Sequence, residues 1–250
     1  MIGKSVGNFF VGVMFLTRLP VPRGLRQVEG RLARSAPYFP LIGVLIGLIS
    51  GAVFVVASAL TTPFIAAGLA VLTGVMVTGA LHEDGLADCA DGLFGGATRE
   101  RALEIMRDSR IGTYGAAALA FSIGLRVLAL VEMAPYQGLV ALIVAHAVSR
   151  AMIPPVLVSA RYARTRGLAS SVAGGVTSLE AMIALLFACA VAIGTGLGPG
   201  LAAIAAAAVA SGLVLAVLLR RLGGYTGDGL GAIQQCAEIA TLITLAGALR

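Results

Sequence analysis

Long apolar segments separated by short polar connections restrict the fold of this chain more than any other feature. About seven segments approach the roughly 20 apolar residues that a helix needs to cross a bilayer. They cover 38–60, 63–81, 113–134, 137–158, 179–197, 200–219 and the short segment 235–249. A mean hydropathy of +0.97 and a charged fraction of 12% lie outside the range of soluble domains. We therefore predict an all-α, polytopic membrane bundle in the lipid bilayer, with one domain over residues 1–250.

The segment 6–17 is shorter, and three interpretations stay open for it: a signal-peptide core, an interfacial helix or a tilted span. Because Pro20 and Pro22 end it and no convincing small-residue cleavage site follows closely, we expect it to be retained as a short N-terminal helix. The 33 glycines suit closely packed membrane helices. Such packing also permits a homo-oligomer.

Arginines occur in four polar stretches that alternate with connections lacking basic residues. The connections at 61–62, 134–136 and 198–200 carry no Lys or Arg. The stretches contain Arg18, Arg23, Arg26, Arg31 and Arg34; Arg99, Arg101, Arg107 and Arg110; Arg161, Arg164 and Arg166; and Arg220 and Arg221. This positive-inside pattern predicts that residues 82–112 and 220–234 face the cytoplasm. It also explains the net charge of +6 without a nucleic-acid partner.

The run 83–96 holds four of the twelve acidic residues of the chain. Asp84, Asp88 and Asp91 follow the spacing i, i+4, i+7, which places them on one stripe of a helix. We expect this helix to continue the preceding span over 82–93 and to end at Gly95-Gly96. Because three like charges repel each other, a divalent cation is the first hypothesis. Mg²⁺, which prefers carboxylate and phosphate oxygens, fits it best. The alternative is a solvated acidic helix end.

Two neighbours of these aspartates have further roles in this hypothesis. Glu83 projects about 100° away from Asp84 on an ideal helix, so it is either a contact to a second helix or a candidate base. Gly85 and Gly92 would let a large substrate approach the backbone. His82 is expected to support the site by hydrogen bonding and not to bind the metal.

A second charged constellation follows at 107–110. Thr98 is predicted to cap a helix over 99–108, so that the two helices form a charged hairpin. Asp108 could complete the metal site, and Arg107 and Arg110 could grip phosphate oxygens as guanidinium forks. The alternative is positive-inside anchoring with a local ion pair.

Further candidates come from the last polar stretch and from charges inside spans. The glycine-rich loop 223–231 suits backbone contacts to an anion. Within it, Asp228 could bind metal, a substrate hydroxyl or an amide. Glu238 is predicted to face the bundle interior. Because intramembrane charges are expensive, His146 and Arg150, which share a helix face, are functional candidates. Arg126 is also a candidate, but it could equally snorkel or pair with Glu132.

Metal-bound carboxylates beside arginines at a membrane surface suit the transfer of a phosphate-linked group. The competing class is a transporter, because buried charges also occur in ion pathways. The concentration of acids in the hairpin favours an enzyme.

The chain resembles the cobalamin synthase family (adenosylcobinamide-GDP ribazoletransferase) over essentially its whole length. The motifs that carry this resemblance are Phe15-Leu16-Thr17-Arg18-Leu19-Pro20, Tyr38-Phe39-Pro40-Leu41-Ile42-Gly43, His82-Glu83-Asp84-Gly85-Leu86-Ala87-Asp88, Asp91-Gly92-Leu93-Phe94-Gly95-Gly96, Ile105-Met106-Arg107-Asp108-Ser109-Arg110 and Gly223-Gly224-Tyr225-Thr226-Gly227-Asp228. The acidic stripe is also similar, in part, to the aspartate-rich motif of CDP-alcohol phosphotransferases, which make phospholipids.

The resemblance implies a Mg²⁺-dependent, multi-pass enzyme of the bacterial inner membrane with its active site on the cytoplasmic side. It would join α-ribazole, or α-ribazole 5′-phosphate, to adenosylcobinamide-GDP by in-line attack at the cobinamide-linked phosphorus, releasing GMP. The expected site residues fall into three groups. They are the metal ligands Asp84, Asp88, Asp91 and Asp108, the catalytic residues Glu83, Arg107 and Arg110, and the substrate-binding residues Arg18, Gly95, Gly96, Arg150, Asp228 and Glu238.

Overall fold

The computed structural model describes residues 2–21, 32–164 and 174–249, and these residues form helices without a strand. A 3-10 helix (Ala33–Tyr38) leads into the second α-helix. The helices are α1 (Ile2–Leu16), α2 (Phe39–Leu60), α3 (Pro63–Thr78), α4 (Leu81–Gly95), α5 (Arg99–Ile105), α6 (Thr113–Val131), α7 (Pro135–Ala151), α8 (Ile153–Ser159), α9 (Ser178–Ile193), α10 (Leu197–Leu222) and α11 (Gly227–Ala248). The predictions for Arg23, Arg26, Arg31 and Arg166 lie outside the described residues.

The prediction of an all-α, multi-pass membrane bundle is confirmed. Within the described ranges, five helical segments are long and apolar enough to cross a membrane: the 3-10 helix with α2, then α6, the pair α7–α8, α10 and α11. The bent pair α3–α4 adds a sixth if it counts as one span. α1 and α9 are shorter apolar helices. α11 begins at Gly227, well before the apolar segment predicted from residue 235, so the glycine-rich stretch is largely helical and only residues 223–226 form a loop.

The acidic helix does not continue the preceding span, so that expectation is wrong. α3 and α4 meet at an angle of 90°. Gly79 (φ +64°) and Ala80 (φ +59°) are both left-handed. The Ala80 amide donates to Val75 O at 2.9 Å and the Gly79 amide donates to Met76 O at 3.1 Å. This Schellman arrangement ends α3 because glycine adopts the left-handed conformation at little cost.

Small residues set the helix packing, as their abundance predicts. A Cβ atom on Gly43 of α2 would lie 2.7 Å from the Cα of Ala147 in α7, and one on Gly47 would lie 2.5 Å from the Cα of Ile143. The two backbones therefore touch along this line. α11 is central, because it contacts α4, α6, α7 and α10.

Three of the arginine-bearing stretches meet at one end of the bundle. Arg99, at the start of α5, donates from Nε to Leu222 O at 2.8 Å and from Nη2 to Ala163 O at 2.9 Å. Arg221 donates to Gly96 O. The charged hairpin α4–α5 is thereby joined to the connections that follow α8 and α10. α4 and the first turn of α11 thus lie side by side at this end.

Candidate functional site

α4 directs its four carboxylates into different surroundings. Asp84 is exposed and Asp88 is half-buried, whereas Glu83 and Asp91 are only 6% and 7% exposed. The side chains of Asp84 and Asp88 accept no hydrogen bond within the described part of the chain. The three aspartates of the predicted stripe therefore differ. Asp84 and Asp88 stay available to a ligand, whereas Asp91 accepts hydrogen bonds from the backbone at the start of α6.

A cavity of about 190 Å³ lies beside Asp84, between α4 and the beginning of α11. Its polar wall consists of His82, Asp84, Tyr162, Arg164 and Asp228. The apolar wall consists of Phe15, Leu16, Leu81, Ile153 and Leu230, together with Gly85, Gly227 and Gly231. The cavity therefore offers acids, one guanidinium and apolar surface together.

Asp228 brings a third acid and a counter-ion to this cavity. Its Oδ2 accepts a hydrogen bond from Arg164 Nη2 at 2.7 Å. The charges of Asp84, Asp228 and Arg164 all act on Asp88, so the four groups form one electrostatic cluster. α4 and α11 approach this closely because both carry glycine: a Cβ on Gly85 would lie 3.0 Å from Asp228 O.

Gly85 and Gly92 of α4 serve close helix packing, and Gly85 also lines the cavity, so the expectation that they let a substrate approach the backbone stays a prediction. A Cβ on Gly85 would meet Gly231 Cα of α11 at 3.2 Å. A Cβ on Gly92 would lie 2.5 Å from the side chain of Met106 and 2.8 Å from Ala102 O. The residues around the acids are thus covered by α11 on one side and by α5 on the other.

Asp91 caps the next helix from outside. Its Oδ2 accepts from the Gly112 amide at 2.7 Å and its Oδ1 accepts from the Gly115 amide at 2.8 Å. The N-cap residue of α6, Gly112, has no side chain to do this. Asp91 therefore satisfies two free amides of α6, and its predicted role as a metal ligand stays a prediction.

Asp108 and Arg110 lie in a second, open groove of about 470 Å³, together with Gly95 and Asp91. Arg110 Nε donates to Asp108 Oδ1 at 3.0 Å. The Arg110 guanidinium beside Asp108 lowers the pKa of that carboxyl to about 2. The structure thus places the predicted ligand Asp108 in a local ion pair and does not bring it to the cavity that Asp84 lines. Arg107 is exposed, and its charge acts on Tyr162.

Glu83 points away from the cavity into a buried ion pair. Its Oε1 lies 3.0 Å from Arg126 Nη1, which also lies 3.1 Å from Glu238 Oε1. All three side chains are at most 7% exposed. Glu83 is thus a contact to a second helix, the first of its two predicted alternatives. The idea that Arg126 snorkels is wrong, and the inward orientation of Glu238 is confirmed.

The pair continues into a buried polar network that links α4, α6, α7 and α11. Glu238 Oε2 accepts from Gln234 at 2.6 Å and lies 2.9 Å from His146 Nδ1. Arg150 Nη1 lies 3.1 Å from the same His146 nitrogen and 3.7 Å from Glu238 Oε2. Gln235 donates to Glu83 Oε1 at 3.1 Å. Arg150, His146 and Glu238 therefore lie together in this network, and none of the three lines the cavity.

The remaining predicted substrate contacts lie at the periphery. Arg18 is exposed and covers the α3–α4 break, where its Cγ would be 2.8 Å from a Cβ on Gly79. Gly95 lines the open groove. Gly96 is buried against α5, where a Cβ would lie 2.6 Å from Ala102 Cα. None of the three lines the cavity next to Asp84.

The available carboxylates fit Mg²⁺ in the way that phosphate-binding enzymes use it. No group of three His, Cys, Asp or Glu side chains in the described ranges is arranged to hold a metal unaided. Mg²⁺ is commonly held by one or two carboxylates plus substrate phosphates. Asp84 and Asp88, on successive turns and without hydrogen-bond partners, meet this requirement.

Arg164 and Tyr162 were missed as cavity residues from the sequence. In the sequence Arg164 belongs only to the positive-inside pattern, and Tyr162 belongs to no motif. Burial raises the pKa of the Tyr162 hydroxyl above its ordinary value. Their placement depends on contacts to residues about 60 positions further along the chain, as the separation of 64 between Arg164 and Asp228 shows. No local sequence signal reports such contacts.

Comparison with known proteins gives a consistent match. The family model described as Cobalamin-5-phosphate synthase matches residues 8–246. A relative from Bradyrhizobium diazoefficiens is 44% identical over 248 residues, which cover 98% of this chain and 95% of the relative. Relatives from Leptothrix cholodnii and Shewanella baltica are 40% identical over 245 residues and 39% identical over 258 residues. They cover 94% and 97% of this chain, and 93% and 94% of the relatives themselves. All three are named Adenosylcobinamide-GDP ribazoletransferase. No solved structure matches the chain.

Proposed function

The chain belongs to the cobalamin-5-phosphate synthase family, and we propose that it transfers the cobinamide phosphate of adenosylcobinamide-GDP to α-ribazole or its 5′-phosphate. GMP is the second product. The observation that carries this proposal is the match over residues 8–246, with relatives of that transferase name along nearly the full length. The cavity supports it, because Asp84, Arg164 and Asp228 lie beside apolar surface there.

The reaction exchanges one phosphorus–oxygen bond for another. A ribose hydroxyl of α-ribazole, or of α-ribazole 5′-phosphate, forms a bond to the cobinamide-linked phosphorus, so that a 5′-phosphate, where present, stays on the product. The bond from that phosphorus to the oxygen of GMP breaks, and GMP keeps the electron pair. The hydroxyl proton is released to the surrounding water. In-line geometry requires the acceptor and the leaving GMP to lie on opposite sides of the transferred phosphorus.

Asp84 and Asp88 are the proposed Mg²⁺ ligands because their side chains accept no hydrogen bond within the described residues and because Asp84 lines the cavity. When bound, Mg²⁺ would neutralise charge on the diphosphate and on the leaving phosphate. Asp91 and Asp108 stay predictions as further ligands. Arg107 and Arg110 stay predictions as phosphate contacts.

The buried network has a positioning role in this proposal. Glu83 and Glu238 both bind Arg126, and this fixes α4 against α6 and α11. Arg150 holds the same cluster from α7. A substrate that contacts both Asp84 and Asp228 requires a constant distance between these two side chains, and the buried network keeps their helices in place. The role of Glu83 as a base stays a prediction.

We place the reaction at the cytoplasmic face of the bacterial inner membrane. The arginine-bearing stretches joined by Arg99 and Arg221 lie at the same end as the start of α11. Basic residues near helix ends mark the cytoplasmic side. Nucleotide substrates would enter from that side.

The test is GMP release by the purified protein in detergent, with adenosylcobinamide-GDP, α-ribazole and Mg²⁺. We expect GMP only when all three are present. Asp84→Asn and Asp88→Asn should each lower turnover at least tenfold. Glu104→Gln is the matched control, because Glu104 is an exposed acid of the same hairpin. Absence of GMP from the wild-type protein would refute the function; full activity of both Asn variants would refute the metal assignment. Activity on a CDP-alcohol, or flux in liposomes without GMP, would favour the phospholipid enzyme or the transporter.

A further inference from the structure

Arg164 is held at the cavity by a backbone arrangement that fixes its position. The Tyr225 amide donates to Arg161 O at 2.9 Å, and the Ala163 amide donates to Tyr225 O at 2.8 Å. These bonds form a short parallel bridge between Tyr162 and Tyr225, whose rings are 5.5 Å apart between centroids. Arg99 binds Ala163 O from α5. Residues 161–163, which directly precede Arg164, are thus tied to two other parts of the molecule.

The side chain of Arg164 has guanidinium N–H donors that no described residue accepts from. It is 10% exposed, and Nη2 donates to Asp228 Oδ2. Its Nε is buried and has no hydrogen-bond partner among the described residues. A guanidinium carries five N–H donors in a planar fork that suits two oxygens of a phosphate. A buried donor without a partner is unfavourable, so an anion with several oxygens would complete this environment.

Arg164 is also the only Arg or Lys among the residues that line this cavity in the described part of the chain. Arg110 lies in the open groove, bound to Asp108. Asp84, Asp88 and Asp228 make the surroundings negative, and Arg164 is the nearby cation acting on Asp88. A diphosphate that enters here therefore meets one guanidinium of the protein.

We propose that Arg164 binds the diphosphate of the nucleotide-activated substrate, and that Asp228 orients its guanidinium before the substrate arrives. This inference rests on the proposed function and adds a binding residue to its site. Asp228 leaves part of the fork free, because a single nitrogen holds a single carboxylate oxygen. The oxygens of a diphosphate can use the remaining donors.

The experiment measures KM for adenosylcobinamide-GDP and for α-ribazole separately, with Arg164→Gln, Arg164→Lys and the control Arg161→Gln. Arg161 is an exposed arginine of the same segment, and among the described residues only its backbone oxygen takes part in a hydrogen bond. Loss of a charged hydrogen bond predicts a rise of about 10- to 100-fold in KM for the diphosphate substrate with Arg164→Gln. Arg164→Lys should show a smaller rise, because it keeps the charge and loses the fork. KM for α-ribazole and the Arg161→Gln protein should match wild type.

The outcomes separate the inference from the function on which it rests. A wild-type protein that releases no GMP refutes the function, and the inference with it. An active wild type with unchanged constants in Arg164→Gln refutes the inference alone. A rise in both KM values together, or a fall in kcat alone, also refutes it, because a purely structural residue would act in that way. If Arg164→Gln does not fold, wild-type KM values in Arg164→Lys would contradict the requirement for the fork.

Discussion

Replacing Arg126 by Gln should destabilise the protein by about 3–5 kcal/mol, the usual result of leaving a buried charge without its partner. Arg126 is 3% exposed and contacts Glu83 at 3.0 Å and Glu238 at 3.1 Å. Without it, Glu238 keeps Gln234 at 2.6 Å and His146 at 2.9 Å. Glu83 keeps only a bond from Gln235, and its Oε2 already lacks a partner in the described structure. Glu83 is therefore the residue left as a buried carboxylate without an ion-pair partner.

A second substitution tests this assignment. Adding Glu83→Gln to Arg126→Gln removes the orphaned charge, so the double variant should be more stable than the sum of the single effects by about 2 kcal/mol. Arg101→Gln is the control. Arg101 and its partner Glu104 are 58% and 69% exposed, and such surface pairs contribute about 0.2–1 kcal/mol.

The assay is reversible unfolding by SDS from mild detergent micelles. Because the chain has no Trp, helicity by circular dichroism is the signal to follow. A loss below about 1 kcal/mol for Arg126→Gln would show that the buried pair is not what fixes α4. A double variant no better than additive would show that Glu83 is not the residue left unpaired.

Three further predictions use the same unfolding assay or a direct titration. Gly43→Ala should destabilise the protein by about 1–3 kcal/mol, because its Cβ would overpack against α7. The control is Gly124→Ala, which has open space around its Cβ position and should be neutral or stabilise the protein by up to about 1 kcal/mol. Equal effects of the two substitutions on stability would contradict the packing argument. Asp91→Ala should cost about 0.5–2 kcal/mol by freeing the α6 amides, while the Mg²⁺ dependence of the remaining activity stays that of wild type; an altered Mg²⁺ dependence would instead favour the ligand role. The pKa of Asp108 is lowered from 3.8 to about 2, so the stabilisation from its ion pair should be complete above pH 4 and disappear as the pH falls towards 2. Carbon-13 NMR of the Asp108 carboxyl should report the lowered pKa directly, and the pKa should return towards 3.8 in Arg110→Gln. An unchanged titration of Asp108 in that variant would contradict the pairing.

Local patterns predicted the elements of this fold well. Thr98 caps α5, as its residue type and the charges after it indicated, with Oγ1 accepting from the Arg101 amide at 3.2 Å. Gly96 ends α4, and the long apolar segments became helices. Such features depend on a few neighbouring residues or on average hydropathy, which the sequence contains directly.

Features that depend on distant contacts could not be predicted in the same way. The spacing of Asp84, Asp88 and Asp91 gives one stripe, but α6 reaches only the last of them, and its free amides decide the use of Asp91. The 90° break at Gly79 lies inside an apolar segment, where hydropathy shows no interruption. Arg164 approaches Asp228 only because α8 and α11 pack at the same end.

The location of the site can be tested by determining the structure of the protein in lipid nanodiscs with adenosylcobinamide-GDP and Mg²⁺. We predict density for the diphosphate in the cavity between α4 and α11, within hydrogen-bond distance of Arg164 and beside Asp84. Density for the diphosphate in the open groove, on Arg110 and Asp108, would contradict this assignment and would favour the clamp first inferred from the sequence.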